Sequence, residues 1–425
     1  MHHSAANAKT TRAVPFTAIS DMSSQLSRGR TLLFAIACGL AVANVYYAQP
    51  LLDLIAADFG IDHGAVGAIV TVTQIGYGAG LLLIVPLGDR LDRRRLIVGQ
   101  LSLSFLALGA VTFAPSPWIM LAAMGVVGIL AVVAQVIVAY SAILANPTER
   151  GRVVGTVTSG IVLGILLARV IAGSIADIGG WRAVFAVSAV ATLAMALVLL
   201  RATPKETARR ERLSYRRLVG SVPTLLVREP VLRVRAILAF LIFTAITTLL
   251  TPMVLPLSAP PISLSHTSIG LFGLAGAAGA LGAAFAGNQA DRGHGQRTTT
   301  IGLTIMLASW IPIALLPHSL WWLVLGVVAI DYGLQSVHVT NQGLIYRVRP
   351  EAQSRLTAAY MLFYSLGSAT GALLSTLTYA TWGWNGVCLL GATVSLTALI
   401  FWAATKPTAP EHLSTENTNQ KVEFP

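Results

Sequence analysis

Charge is what this sequence has least of. Asp, Glu, Lys and Arg make up 11% of its 425 residues, against about a quarter in ordinary soluble domains. Over the same length 55% of residues are hydrophobic and the mean hydropathy is +0.72. A soluble globular domain is excluded, and the chain reads as an integral membrane protein. Cysteine is almost missing: Cys38 and Cys388 lie far apart in apolar runs, so neither a disulfide framework nor a thiolate metal site is on offer. No metal and no other cofactor is expected. The sequence has no G-x-x-x-x-G-K-S/T loop to hold ATP, no H-E-x-x-H and no pair of intramembrane aspartates, so neither an ATP-driven machine nor a membrane-embedded hydrolase is expected. The first thirty residues are polar and lack an early apolar core; a cleavable signal peptide is not expected.

Long apolar runs are what the sequence does have. A bilayer core takes about 20 such residues per helix, and twelve runs qualify, at 31–53, 64–87, 96–114, 118–145, 153–176, 181–201, 234–257, 268–289, 298–316, 320–346, 355–380 and 385–404. An even number puts both termini on one side. Of the 29 Lys and Arg, all but Arg169 and Arg182 fall in the N-tail, in the alternate loops 88–95, 146–152, 202–233, 290–297 and 347–355 with their flanks, or in the C-tail. By the positive-inside rule that side is cytoplasmic, which predicts a multi-pass protein of the plasma membrane (the cell inner membrane). The formal charge of +12 then follows from topology and the anionic inner leaflet, and no nucleic acid partner is implied. The expected divisions are a tail (1–30), a six-helix bundle (31–201), a basic linker lying on the membrane surface (202–233), a second six-helix bundle (234–404) and a tail (405–425).

The two bundles resemble each other. Shifting by 203 positions pairs His63 with His266, Gly67 with Gly270, Gly76 with Gly279, Pro147 with Pro350, Arg152 with Arg355, Gly164 with Gly367 and Trp181 with Trp384. A constant offset over six helices per half implies parallel repeats about an axis along the membrane normal, with a cavity between them that rocking exposes to alternate sides.

The loop after the second run reads VPLGDRLDRRRL (85–96) and its counterpart GNQADRGHGQR (287–297). Both resemble the G-x-x-x-D-R-x-G-R-R signature of the major facilitator superfamily. Asp89, Arg90, Arg93 and Arg94 match, while Val85 and Asp92 stand at the two glycine positions; Gly287, Asp291 and Arg292 match in the second copy. DIGGWRAVF (177–185) is similar to the family's turn between helices 5 and 6. The resemblance covers 31–404 and implies an all-α fold of twelve membrane helices in two bundles, a transporter rather than an enzyme, and usually a monomer. It also implies a conformational latch in which Asp89 meets the start of helix 11 near Arg355, with Arg90, Arg93, Arg94, Asp291 and Arg292 contributing; those arginines also serve as the positive-inside signal. Helix 5 carries GTVTSGIVLGILLARVIAG (155–173), a glycine pattern similar to that of exporting members but without the proline. Close helix packing explains it equally well.

The tenth run holds DYGLQSVHVTNQ (331–342). Asp331 lies about 17 Å from its outer end at 1.5 Å per residue, near the midplane. Asp331, Gln335, His338 and Gln342 share one helix face, a stripe that cannot face lipid cheaply. Gln135 echoes His338 at the 203-residue offset. Two roles fit: packing inside the bundle, or proton coupling by Asp331 and His338. An acid whose surroundings alternate between protein and water changes its affinity for a proton, which is what coupling needs. Arg169 either snorkels toward Asp53 or Asp177 or faces the cavity, where it suits an anionic substrate or sets the proton affinity of Asp331. Asn44, Tyr46, Tyr47, Gln49, Gln74, Tyr77, Asn341, Tyr360 and Tyr364 are the further cavity candidates, and the tryptophans Trp118, Trp181, Trp321, Trp322, Trp382 and Trp384 are expected at the interfaces.

The function expected is secondary active transport of a small molecule by alternating access, as proton-coupled export (antiport) of hydrophobic compounds or metabolites. Proton-coupled uptake of a sugar or organic acid is the alternative, and a non-transporting membrane sensor or a membrane-embedded enzyme a distant one.

Overall fold

The structure, a computed structural model, describes residues 26–146, 148–203, 215–348 and 353–405. Helix α1 runs Arg28–Tyr46 and, after a 3-10 turn at Gln49–Leu51, continues as Leu52–Phe59. Pro50 falls in the first positions of that turn, where a missing N–H costs nothing. Helices α2 (Ala68–Leu83) and α3 (Arg93–Thr112) follow, then α4 in two pieces, Pro117–Ala131 and Val133–Leu144. The next continuous helix, Arg150–Ala202, has 53 residues, about 80 Å at 1.5 Å per residue against a bilayer core of about 30 Å. It therefore has to be two crossings. Gly180, at φ 74 and ψ 174, is where α5 (150–179) turns back as α6 (181–202). The second half repeats the device: Gln353–Thr405 is broken at Gly383, φ 61 and ψ −157, into α11 (353–382) and α12 (384–405). Gly180 and Gly383 are 203 positions apart, so the repeat extends to a backbone conformation that favours glycine.

Between them lie α7 (Pro230–Leu250), α8 in three segments (His266–Leu271, Phe272–Ala275, Gly276–Asp291), α9 (Gly295–Ala308 with Trp310–Ala314) and α10 (Leu320–Val348). Among the described residues eight helices are long and apolar enough to cross a membrane by themselves. Dividing two of them at the glycines and counting the broken α8 and α9 gives twelve, the expected all-α class. Side-chain caps start several of these helices. Ser27, Asp92, Ser116 and Ser265 each accept from a backbone N–H three residues on, which satisfies an otherwise orphaned donor. Asp92, at a position where the family signature has glycine, is the cap of α3.

Contacts between helices depend on missing side chains. A Cβ on Gly160 of α5 would stand 2.1 Å from the carbonyl oxygen of Ala35 in α1, and one on Gly164 2.4 Å from that of Gly39. On the other side, Cβ atoms on Gly367 and Gly371 of α11 would meet the carbonyl oxygens of Phe240 and Thr244 in α7 at 2.2 and 2.4 Å. Gly164 and Gly367 are repeat partners. The helix 5 glycine pattern is therefore accounted for at 160 and 164 by packing, and it carries no weight toward a direction of transport. Trp181 and Trp384 are buried, against the expectation of interfacial anchors. Trp181 stacks edge-on with Phe185, and the Trp384 Nε1–H donates to the Ile313 carbonyl at 3.0 Å. Trp118, Trp321, Trp322 and Trp382 are exposed. The helix Tyr215–Arg228 in the linker is docked rather than lying free on a surface: Val222 and Leu225 are buried in the main apolar cluster and the Tyr215 hydroxyl donates to the Leu83 carbonyl at 2.7 Å.

Gly164→Val places a branched side chain against the Gly39 backbone, an overpacking worth about 1–3 kcal/mol. A lower unfolding temperature of the purified protein in detergent is expected, whereas Gly155→Ala, with open space at its Cβ, is expected to melt with the parent.

Candidate functional site

The two halves meet along α2 with α11 and α5 with α8. The end of the molecule with few charges is closed. A Cβ on Gly67 of α2 would stand 2.5 Å from the Ala372 carbonyl oxygen, and one on Gly270 of α8 2.4 Å from that of Arg169. On α5, Ala168, Arg169, Ala172 and Gly173 are buried at this closed end. Val162, Thr158 and Gly155, two to four turns nearer the basic end and on the same helix face as Arg169, are exposed. Leu281 and Phe285 on α8 are exposed likewise. On this side α5 and α8 thus touch at the charge-poor end and part toward the basic end, while α2 and α11 stay in contact as far as Gly78, whose Cβ would stand 3.1 Å from Ser365 Oγ and 3.3 Å from Leu362 Cδ1.

Polar groups from both halves converge near the apex of that opening. From the second half, Asp331 of α10 lies against α8, where two glycines make the space: a Cβ on Gly276 would stand 3.1 Å from Asp331 Oδ2 and one on Gly279 2.9 Å, with Gln335 pressed against the same Gly279. In the first half the equivalent position to Asp331 is Gly128, whose Cβ would meet the Thr73 carbonyl at 2.0 Å. A position that closes two helices in one repeat therefore carries an acid in the other. Arg169 of α5 runs along the same face of α8, with its Cβ and Cδ near Gly273. It is 8% exposed. Its Nη2 donates to Gln49 Oε1 at 2.9 Å and its guanidinium lies 5.8 Å from the Tyr46 ring centre. Arg169 therefore points into the junction and does not snorkel. Among the described residues no ion pair joins it to Asp331.

A tyrosine cluster crosses the same junction. The hydroxyls of Tyr46 and Tyr364 are hydrogen-bonded across the halves. Tyr364 packs edge-on with Phe243 at 4.1 Å and with Tyr77 at 6.4 Å, and Gln135 Nε2 lies 3.5 Å from the Tyr77 hydroxyl. Gln74 is buried on α2, and its carbonyl accepts from the Ser365 hydroxyl of α11. Two buried polar atoms here, Gln74 Oε1 and Arg169 Nε, have no protein hydrogen-bond partner among the described residues.

Other candidates lie elsewhere. Asn44 accepts from Ser188 of α6, and Tyr47 is buried beside it, so both pack within the first half; the cavity tyrosine of that pair is Tyr46. The α10 stripe also divides. His338 does not share the surroundings of Asp331: its Nδ1 lies 2.9 Å from the Tyr360 hydroxyl and its ring packs edge-on against Phe243 at 5.2 Å. Asn341 and Tyr360 are fully buried and belong to a second network centred on Arg235, which is 3% exposed. Its Nη1 donates to Asn341 Oδ1 at 3.1 Å and Thr299 Oγ1 at 3.2 Å, its Nη2 to Gln296 Oε1 at 2.9 Å, and it lies over Trp402. Sequence reasoning missed Arg235 because the linker's basic run extends to it; its burial comes from α9 and α12, which lie far along the chain. Gln342 is half-buried on α10.

At the basic end, Arg94 donates to the Leu200 carbonyl of α6 within its own half, Arg90, Arg292 and Arg355 are exposed, and Arg93 is half-buried. The side chains of Asp89 and Asp291 lie outside the described residues. A groove of about 710 Å³ between α9 and α12 is lined by apolar side chains with Thr304 and Asn385. It contains none of the candidates.

The sequence profile of the Major Facilitator Superfamily matches residues 33–260 and 236–425. A putative transporter of Escherichia coli K12, YgaY, is 47% identical over 89% of this chain and 96% of its own. A probable transporter of Streptomyces coelicolor is 31% identical over 88% and 86%. More distant is a probable sugar efflux transporter of Helicobacter pylori, 22% identical over 88% and 94%. Among solved structures, a bacterial homologue of the human lysosomal transporter Spinster superposes with a TM-score of 0.73 at 14% identity, covering 88% of this chain and 95% of that one. The nucleoside transporter NupG gives 0.72 at 12% identity, covering 89% and 100%. The chain belongs to the major facilitator superfamily.

Arg235→Ala would strip buried acceptors of their donor, at about 1–3 kcal/mol. Thermal unfolding in detergent is expected to shift down clearly, and a melting curve equal to the parent's would refute a structural role for the network.

Proposed function

We propose that this superfamily member is a secondary active transporter that moves a small molecule by alternating access, coupled to protons through Asp331. The basic end is cytoplasmic by the positive-inside rule, which makes the arrangement above open to the cytoplasm and closed to the outside. The observation that carries the coupling role is the lodging of the Asp331 carboxylate against Gly276 and Gly279, at the junction where Arg169 of the other half arrives. When the halves rock, α5 and α8 change their contact, and the Asp331 carboxylate exchanges the neighbourhood of Arg169 for water. A carboxyl placed so changes its proton affinity with conformation, while Arg169, always charged, gives the deprotonated acid a partner. His338 stands apart from this exchange; bonded to Tyr360 inside the second half, it braces α10 against α11.

Export of metabolites or hydrophobic compounds is the leading direction. The cluster of Tyr46, Tyr77, Tyr364 and Phe243 offers aromatic faces to a ring-bearing solute, with Gln135, Gln335 and the phenols as hydrogen-bonding groups. The distant relatives named for sugar efflux support this direction. One observation favours the alternative of proton-coupled uptake: Arg169 is buried at the junction rather than at the surface, which suits an anionic solute.

Purified protein in liposomes with a trapped pH dye decides both points. The panel is a set of lipophilic cations, sugars and organic acids added outside. A solute that drives the lumen alkaline identifies antiport and one that drives it acid identifies symport, whichever way the protein is inserted. In Asp331→Asn the dye response is expected to fall to that of empty vesicles. Undiminished coupling in that variant would remove Asp331 from the proton path.

A further inference from the structure

The seal at the charge-poor end is built twice, and the two copies differ chemically. Their backbones correspond: Gly67 against Ala372 on one side and Gly270 against Arg169 on the other are related by the 203-residue offset, at 2.5 and 2.4 Å from built Cβ to carbonyl oxygen. Where α2 meets α11 the polar contacts are neutral hydroxyls. Thr376 Oγ1 donates to the Gly64 carbonyl at 2.9 Å and Thr71 Oγ1 to that of Ala369 at 3.0 Å. Where α5 and α1 meet α8 the contacts are ionisable.

His266, the repeat partner of His63, begins α8. Its Nε2 stands 3.1 and 3.0 Å from the two carboxylate oxygens of Asp53 in α1, and its Nδ1 3.3 Å from Asp177 Oδ1 at the end of α5. Each ring nitrogen faces a carboxylate oxygen. A neutral imidazole donates from only one nitrogen and would set the lone pair of the other against a carboxylate; only the imidazolium donates to both. Asp177 also holds the helix itself: its oxygens accept from the backbone N–H groups of His266 and Thr267 at 3.0 and 2.9 Å and from the Thr267 hydroxyl at 2.6 Å, capping the N-terminus of α8 from the other half of the molecule. The remaining charges on this face are engaged elsewhere. Arg182 pairs with Asp58, and Asp62 accepts from the Gly64 N–H. Ser174 faces Thr267.

We infer that His266 is a proton-operated latch, its protonated ring tying α8 to Asp53 and Asp177 and so holding the outer end shut, and its deprotonation letting that end open. The inference rests on the alternating-access proposal above. The hydrogen bond to Asp53, with the charges of Asp53 and Asp177 adding, raises the His266 pKa against the opposing effect of partial burial. With the closed-state value raised above the ordinary histidine value of about 6.5, the closing contribution is complete below that value. It is lost as pH rises through the closed-state pKa. Acid outside closes the gate and alkali frees it. The ring is 14% exposed and lies at the outer end only, so it exchanges protons with one side. It senses external pH and carries no charge across, unlike Asp331.

The test uses the full chain in liposomes, with Cys38 and Cys388 replaced by Ala and spin labels at Ile178→Cys and Trp321→Cys, exposed outer positions in opposite halves. The ratio of open to closed distances is expected to rise with external pH by up to about tenfold per unit, the limit for a single proton. His266→Gln is expected to abolish that step. Asp53→Asn, which leaves the Asp177 cap in place, is expected to move its midpoint toward acid. Thr376→Val should open the seal at every pH and keep the step. A step that survives His266→Gln or ignores Asp53→Asn overturns the latch. Two distance populations in the parent whose ratio ignores pH also overturn it, but leave alternating access standing; a single population at every pH overturns both.

Discussion

Backbone laid directly against backbone is the contact on which the rest of this molecule depends. In lipid a helix gains little by turning leucine toward leucine, since the acyl chains are as apolar as the partner. Association comes from close approach and from the few polar contacts that approach allows. The glycines at 39, 160 and 164 bring α1 and α5 together, those at 76, 125 and 128 do so for α2 and α4, and those at 367 and 371 for α7 and α11. Where helices come this close, a single oxygen can fill the space a methyl group would have taken. Asp331 does so against α8. The candidate site is therefore cut from the packing scheme itself, and the acid is held in place by what its neighbour lacks.

Duplication makes such departures visible. Two halves built to one plan have the same bends at Gly180 and Gly383 and the same seals at Gly67 and Gly270, so differences at equivalent positions mark where the second copy has acquired chemistry. Gly128 against Asp331 is one such pair and His63 against His266 another. In each the first-half residue has a bland role or lies exposed at a loop, while the second-half residue is ionisable: His266 meets Asp53 and Asp177 of the other bundle, and Asp331 lies at the junction that Arg169 enters. The equivalence at Gly67 and Gly270 explains how this is tolerated: the seal is carried by backbone contact common to both copies, and polar groups are added on top of it.

Much of the fold was legible in the sequence, because lipid imposes length and hydropathy on every crossing and basic loops mark alternate ends. The repeat offset was legible for the same reason that single helices were, since it needs only residue identity. The site was legible in part. Asp331 and Arg169 stood out as candidates because a charge in an apolar run has no cheap alternative, and the structure brings both to one junction. Tyr46 and Tyr47 are adjacent and chemically identical, and about 100° of helix rotation decides which one meets Tyr364; no composition or spacing reveals that. The α10 stripe is continuous in projection but divided in space, because α8 covers Asp331 and Gln335 while α7 and α11 cover His338. Arg235 was hidden by the basic linker beside it. Asp92 shows the converse: a departure from the family signature that is locally sound as a helix cap.

The docked linker helix bears on how wide the protein can open. Val222 and Leu225 anchor it in the main apolar core, while the Tyr215 hydroxyl holds the basic end of α2. A strut fastened to both halves at the mouth they share sets a largest aperture, since further parting must first detach one of its ends. In the transport reading proposed above, the limit on this side lies in the docked helix Tyr215–Arg228 and not at the polar junction.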